Sequence, residues 1–174
     1  MSTENTSTLS VSDLKVYYDS TNGDIKAVDG ISFDVKKGEC LGIVGESGCG
    51  KTTAAYGILR LVQHPGKIVG GQISLHGKPI ENLNEEDFRK MRATELALIP
   101  QGAMNSLNPT MKVGKQITDL INTHKPGISS SEKISIIEEL LGKVGLPKRT
   151  ISMYPHELSG GMKQRVCIAI GIAL

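Results

Sequence analysis

The 174-residue sequence has the length of one domain, and its formal net charge of +2 gives no electrostatic reason to expect a nucleic acid partner. Residues 1–10 lack the apolar core of a signal peptide, and no apolar run approaches the roughly 20 residues of a membrane-spanning helix. The three cysteines form neither a C-x-x-C pair nor an even-numbered disulfide framework, which is typical of a reducing cytoplasm.

The beginning of the sequence alternates between polar and apolar residues, as half-exposed strands do. Such strands are predicted over residues 9–11, 14–18 and 31–35, with a turn at 21–24. They favour a small antiparallel β-layer ahead of the rest of the fold. Tyr17 or Tyr18 could offer an aromatic ring to an adenine, although a tyrosine in a strand is more often simply part of its sheet.

A glycine-rich stretch then carries the strongest chemical signal of the sequence. Residues 45–53 match G-x-x-x-x-G-K-[ST], the phosphate-binding P-loop or Walker A pattern. The apolar run 40–44 predicts a strand buried on both faces, and the helical spacing after the motif predicts a helix that starts near Gly50. In this setting Lys51 reaches the β- and γ-phosphates of a nucleotide and Thr52 ligates Mg²⁺. The predicted nucleotide-binding residues are Gly45, Glu46, Ser47, Gly48, Cys49, Gly50, Lys51, Thr52 and Thr53.

Several elements are predicted after the P-loop helix. Residues 71–77 predict a strand that returns to the β-layer, and Asn84 is placed to cap a short helix with acidic residues first and basic residues last. The apolar run 96–99 predicts a second buried strand, which ends at Pro100-Gln101. A polar loop over 102–109 and a helix over 113–121 follow. Residues 129–132 supply the N-cap of a further helix, whose apolar stripe comprises Ile134, Ile137, Leu140, Leu141 and Val144.

Glycines reappear where the last helix is predicted to start, in Leu158-Ser159-Gly160-Gly161-Met162. The unpaired N–H groups of such a helix start can bind a second anion. The same residues are equally consistent with a glycine turn ahead of a core helix. The pattern by itself leaves both interpretations open.

Taken in order, the P-loop, Gln101 after a strand and Leu158-Ser159-Gly160-Gly161 resemble the ATPase subunit of ABC transporters. The resemblance runs from about residue 9 to residue 174, with Met162 where the commonest family form has glutamine. It implies ATP and Mg²⁺ as cofactors and the following roles. Lys51 and Gln101 are the implied catalytic residues, with Thr52 and Gln101 at Mg²⁺, Gln101 also at the attacking water, and Tyr18 stacked on adenine. The implied nucleotide-binding residues of the second motif are Leu158, Ser159, Gly160, Gly161 and Met162, of which Ser159, Gly160 and Gly161 touch the γ-phosphate of ATP bound to a second ATPase subunit.

Three segments, 26–33, 101–109 and 154–162, resemble more narrowly the dipeptide, oligopeptide and nickel branch of this family. After Gln101 that branch usually has an acidic residue and proline, where this chain has Gly102-Ala103. The resemblance implies ATP-driven import of a solute, most simply a peptide, with nickel or an oligosaccharide as alternatives that the ATPase itself does not bind. The implied partners are a second ATPase subunit, identical or different, membrane permease subunits and, indirectly, a solute-binding protein, at the cytoplasmic face of the membrane and without nucleic acid.

The family continues after its signature helix with a strand that ends in Asp-Glu (Walker B), a D-loop and a switch histidine, none of which occurs up to Leu174. We therefore expect an α/β fold of the ABC ATPase type that is C-terminally incomplete: a P-loop NTPase core of parallel sheet, an antiparallel β-layer and a helical subdomain. The expected organisation is one partial domain over 1–174. Its parts are the β-layer and P-loop core at about 1–100, the loop and helical subdomain at about 101–157, and the signature motif with its helix start at 158–174.

Two further interpretations differ in function from a transport ATPase. A nucleotide-binding fragment would hold ATP and hydrolyse none. A soluble ABC ATPase of translation or DNA repair would be favoured by tandem cassettes or by a long coiled coil between the P-loop and the signature, and the sequence shows neither.

Overall fold

The computed structural model describes residues 7–92, 94–100, 102 and 106–174, and the chain divides into two compact units, 1–88 and 89–174. The first unit holds strands β1 (Ser7–Tyr18), β2 (Ile25–Lys36), β3 (Gly66–Leu75) and β4 (Lys78–Pro79) and helix α1 (Lys51–Ile58). Helix α2 (Glu85–Met91) crosses the boundary, and the second unit holds α3 (Val113–His124), α4 (Ser130–Lys143), α5 (Gly160–Gly171) and the 3₁₀ turns Lys148–Ser152 and Pro155–Glu157. No described helix is long and apolar enough to cross a membrane.

The predicted antiparallel β-layer is confirmed as a four-stranded sheet with the order β2-β1-β3-β4. The two short strands predicted between residues 9 and 18 form one continuous strand, β1. Its pairing with β2 shifts register between Val11 and Leu14, where Asp13 takes a φ of 51° and its N–H donates to Ser32 Oγ at 2.9 Å. The break in the alternating pattern is therefore a bulge, which a single strand accommodates.

Helix α1 packs on one face of this sheet. Leu14 and Val16 of β1 are fully buried, and a side chain at Gly57 of α1 would place its Cβ within 2.9 Å of Val16 Cγ2. The absence of a side chain at Gly57 lets the helix lie directly on β1. The helix that follows the P-loop is thus fixed to the sheet in the same unit.

The two buried strands predicted for a parallel core are wrong for this chain. Residues 40–44 form no strand and are exposed, with 92% of Val44 accessible, and residues 96–99 show only an isolated parallel bridge between Arg92 and Leu96. A strand forms only where neighbouring backbone satisfies its N–H and C=O groups. Among the described residues β1 to β4 pair with one another and none pairs with either run, so no parallel sheet is formed there.

The second unit is built around a helical core, and the helices predicted in it are confirmed. Ser129 caps α4, its hydroxyl accepting from Glu132 N at 3.3 Å. The predicted apolar stripe of α4 is wrong at Ile134, which is 52% exposed, because the buried face follows the rows 136-140-144 and 137-141 of i, i+4 neighbours. The buried residues of the core are Leu107, Val113, Ile117, Ile121, Ile137, Leu140, Leu141, Leu146, Leu158, Val166, Cys167, Ala169 and Ala173.

Candidate functional site

The P-loop packs on strand β2 at Gly50, which is the N-cap residue of α1. Gly50 has a φ of 92°, in the left-handed region, and a Cβ added to it would lie 2.2 Å from Ala27 O. Backbone conformation and lack of space therefore both require glycine at this position. At the other end of the loop, a Cβ on Gly45 would lie 2.6 Å from Cys49 Sγ, so the loop also folds tightly on itself.

Alanine substitution at Gly50 should be far more costly than at Gly48. Gly48 also has a left-handed φ, of 85°, but no atom lies within 4 Å of its added Cβ. We expect Gly48→Ala to lower the free energy of unfolding by about 1 kcal/mol for the backbone conformation alone. Gly50→Ala adds a clash with backbone and should lower it by roughly 3 kcal/mol or more.

Urea denaturation of the two variants beside the wild type measures this difference. Equal losses of stability at Gly48 and Gly50 would contradict the close packing of Gly50 on Ala27.

Lys51 lies in the first turn of α1 and folds back over the loop. Its Nζ donates to Gly45 O at 2.8 Å, to Glu46 O at 2.7 Å and to Cys49 Sγ at 3.3 Å. These contacts use all three ammonium protons and hold the charge at the centre of the loop. A phosphate at the same place would accept stronger, charge-assisted bonds than a carbonyl does.

The sheet separates the two candidate adenine-stacking tyrosines. Side chains alternate along a strand, so Tyr18 lies on the same face of β1 as Val16, which α1 covers, and Tyr17 lies on the opposite face. The ring of Tyr18 also packs on Gly66 of β3, where an added Cβ would come within 2.7 Å of Tyr18 Cε1. Of the two, Tyr18 alone shares the face of the helix that carries Lys51.

Tyr17 is engaged in an exposed polar cluster on the other face. Its hydroxyl donates to Asp29 Oδ1 at 2.5 Å, and Lys26 Nζ lies 5.4 Å from the ring centroid and 3.2 Å from Asp29 Oδ2. The Tyr17 hydrogen bond, followed by that of Lys26, lowers the pKa of Asp29, and the bond to Asp29 raises the pKa of Tyr17. The hydroxyl and the ring of Tyr17 are thus both engaged in contacts within the sheet.

A cavity of about 520 Å³ adjoins the P-loop between β2 and residues 41–44. Most of its wall is apolar, with Val28, Ile31 and Phe33 of β2 facing the exposed run, and Lys51 stands at its P-loop end. An apolar wall does not compensate the desolvation of a phosphate. The loop amides and Lys51 are therefore better suited to a phosphate than this cavity is.

The second glycine motif forms the start of α5, as predicted. Ser159 is the N-cap, and its Oγ accepts from Met162 N at 3.3 Å, which leaves the hydroxyl proton available to an acceptor. Gly160 and Gly161 are exposed in the first turn, whereas Leu158 is 6% exposed and packs in the helical core. Met162, which follows the two glycines, packs against the same core. The exposed glycines are thus flanked by two residues that attach the helix start to the core.

The turn before the motif is fixed by its own hydrogen bonds. Glu157 Oε2 accepts from Tyr154 N at 2.6 Å, and the rings of Tyr154 and His156 stack with centroids 5.5 Å apart. Arg165 of α5 donates to Gly145 O at 3.1 Å and to Gly161 O at 3.3 Å. These contacts hold the start of α5, where Gly160 and Gly161 are exposed, and this is compatible with the predicted anion site.

The P-loop lies in the first unit and the Leu158–Met162 motif in the second, each complete within its own unit. Gln101, the predicted contact of Mg²⁺ and water, lies outside the described residues. Two residues that hold these loops are not predicted from the sequence: Ala27, whose carbonyl lies against Gly50 of the P-loop, and Gln116, whose amide bonds to the loop at 108–111. No sequence feature points to Ala27. Gln116 has a weak sequence signal, because it is a glutamine one turn into a helix that follows an Asn-Pro turn.

A P-loop at the start of a helix that packs on a sheet defines a P-loop nucleotide-binding protein. The family model described as ABC transporter matches residues 28–174. The chain belongs to the ABC transporter family. The family resemblance and the α/β fold of the ABC ATPase type expected from the sequence are thereby confirmed, whereas the parallel sheet expected in its core is not formed among the described residues.

Individual relatives agree with this assignment. The chain is 41% identical over 166 residues to the oligopeptide transport ATP-binding protein OppD of Escherichia coli (strain K12), covering 94% of this chain and 49% of that protein. It is 40% identical over 167 residues to the dipeptide transport ATP-binding protein DppD of the same organism, covering 95% of this chain and 51% of that protein. The chain therefore spans about half the length of the curated relatives it matches.

Solved structures of ABC cassettes are similar in fold. The dimeric structure of MJ0796, described as a bacterial ABC transporter cassette, has a TM-score of 0.83 and 25% identity, covering 95% of this chain and 69% of that one. The same cassette in a post-hydrolysis state bound to ADP and Pi has a TM-score of 0.80 and 25% identity, with the same shares covered. The similarity covers nearly all of this chain.

Proposed function

We propose that this chain is the ATP-binding part of a subunit that couples ATP binding and hydrolysis to the import of peptides across a membrane. The observation that carries the proposal is the P-loop, in which Gly50 is closed on Ala27 and Lys51 is held at the centre of the loop. The peptide-transport names of the relatives OppD and DppD support the substrate class.

The residues of the P-loop fit a nucleoside triphosphate with its metal. The loop amides of 45–50 and the N-terminus of α1 would bind the phosphates, and Lys51 would neutralise the β- and γ-phosphates. The described residues contain no group of three His, Cys, Asp or Glu side chains that could hold a metal by themselves. Mg²⁺ would therefore be held by the phosphates together with the exposed hydroxyl of Thr52, and by Gln101, which would also orient the attacking water.

The remaining site residues have proposed roles on the same basis. Tyr18 would stack on the adenine, since it lies on the face of the sheet that α1 covers. Ser159, Gly160 and Gly161 would donate to the γ-phosphate bound by a second ATPase subunit, with Leu158 anchoring the motif and Met162 flanking it. The solved dimers of a related cassette support such a partner, either a second copy or a different subunit.

The other proposed partners belong to a membrane transporter. Permease subunits would dock on the loop 101–109 and the helices of 113–145, which places the chain at the cytoplasmic face of the membrane. A solute-binding protein would act indirectly through the permease. Nickel or oligosaccharide import remains the alternative within the same branch, because the ATPase subunit does not itself contact the solute.

Uptake measurements in the native cell test the proposal. We expect deletion of the gene for this chain to abolish uptake of radiolabelled di- or oligopeptides, and the wild-type gene to restore it. The same gene with Lys51→Ala should restore none, because Lys51 contacts phosphate. Loss of nickel or oligosaccharide uptake with intact peptide uptake would contradict the peptide assignment.

A further inference from the structure

The backbone of Tyr18, at the end of β1, is fixed to the start of β3. In the antiparallel register Tyr18 stands opposite Gly66. One residue further along the chain, Asp19 N donates to Pro65 O at 3.1 Å, and Lys67 Nζ donates to Asp19 Oδ1 at 2.5 Å. Because the backbone is held here on both sides of the pair, the direction of the Tyr18 ring depends on what the ring packs against.

Gly66 leaves the space that the ring of Tyr18 occupies. A Cβ added at Gly66 would lie 2.7 Å from Tyr18 Cε1 and 2.6 Å from Val62 Cγ1, and Gln63 O would be 3.0 Å away. These distances are too short for a real side chain, so a larger residue must displace the ring, the valine or both. The φ of Gly66 is not in the left-handed region, so lack of space, rather than backbone conformation, favours glycine here.

The ring of Tyr18 is only partly covered by this contact. Tyr18 is half-buried, so part of its side chain stays accessible while Cε1 lies against β3. The energy of an aromatic stack depends on the offset and tilt of the two rings. A methyl group at Gly66 would change both for any base stacked on Tyr18.

We propose that Gly66 is a positioning residue that sets the orientation of the Tyr18 ring for stacking on the adenine of bound ATP. The inference rests on the proposed role of Tyr18 in nucleotide binding. Gly66 has no side chain with which to touch the nucleotide and acts through the ring. Its replacement should therefore weaken the binding of the base and leave the binding of the phosphates, which the P-loop performs, unchanged.

The measurement is the affinity for ATP divided by the affinity for tripolyphosphate, both with Mg²⁺, obtained by calorimetry on the full 174-residue chain. Tripolyphosphate carries the phosphates without the base, so a partial loss of folding lowers both affinities equally and leaves the ratio unchanged. Tyr18→Leu should lower the ratio about five- to a hundredfold, the effect of removing one stacked aromatic ring. Gly66→Ala should lower it about three- to tenfold, because the ring is displaced but not removed.

Two variants provide matched controls. Gly70→Ala makes the same change on the same strand, where the added Cβ meets Lys15 Cδ at 3.7 Å, an ordinary van der Waals distance. Val62→Ala removes the other side chain that packs on Gly66 and leaves the Tyr18 ring in place. Both should keep the wild-type ratio.

The outcomes separate the inference from the function beneath it. A wild-type ratio in Gly66→Ala, or an equal fall in Gly70→Ala, overturns the positioning role. If Gly66→Ala does not fold, the double variant Gly66→Ala with Val62→Ala removes one of the two side-chain clashes and keeps the one with the ring, so a wild-type ratio there overturns the role equally. An unchanged ratio in Tyr18→Leu overturns the proposed role of Tyr18 itself, and it is seen without any Gly66 variant.

Discussion

Lys51→Ala is expected to lose most of the affinity of the chain for MgATP while the fold is retained. Within the described part of the chain the ammonium group bonds to the loop atoms Gly45 O, Glu46 O and Cys49 Sγ, so its removal should leave the helix and sheet unchanged. A charge-assisted phosphate contact contributes about 1.5–3 kcal/mol, which corresponds to roughly tenfold or more in affinity. Calorimetry of wild type and variant measures the change, with circular dichroism as the test of folding.

A second lysine in the same unit provides the control for net charge. Lys78→Ala removes an exposed ammonium group on β4 and should leave MgATP affinity within about a factor of two, as expected for a remote surface charge in salt. Lys51→Arg tests whether the shape of the cationic group matters, since the planar guanidinium keeps the positive charge but replaces the compact ammonium group. Equal affinities of wild type and Lys51→Ala, both folded, would contradict the assignment of phosphates to this loop.

The 174-residue polypeptide by itself is expected to hydrolyse ATP at least about a thousandfold more slowly than one turnover per second. Its sequence has no Asp-Glu at the end of an apolar strand, and all four histidines precede the signature motif. Positioning and electrostatic stabilisation supply nearly all of the catalysis of phosphoryl transfer, so losing a metal-ordering carboxylate, a water-orienting carboxylate and a histidine should cost several powers of ten.

A steady-state phosphate-release assay measures this rate. The Lys51→Ala preparation gives the background from contaminating ATPases, because both proteins pass through the same purification. Turnover near one per second in the wild-type polypeptide, abolished by Lys51→Ala, would show that these residues suffice for hydrolysis. Binding of ATP without turnover is the expected result and agrees with the proposed roles of the P-loop residues.

The sequence by itself determined the features that depend on local spacing. The P-loop at 45–53, the glycine motif at 158–162, the antiparallel strands, the helix over 113–121 and the helix capped at 129–132 were predicted from residue type and period, because capping, glycine conformation and amphipathicity act over a few residues. The order of these motifs also sufficed for the family resemblance, which the match over residues 28–174 confirms.

The tertiary structure alone decided which residues meet. The run 40–44 is as apolar as a buried strand, yet it stays exposed, because a strand requires a hydrogen-bonding neighbour that no local pattern supplies. Only the sheet shows that Tyr18 rather than Tyr17 shares the face of α1, and only the fold brings Ala27 O against Gly50. Gln116 acquires its partners in the same way, since its bonds to Asn108 and Met111 form only when α3 and the preceding turn are placed together, and the sequence gives only a weak signal of them.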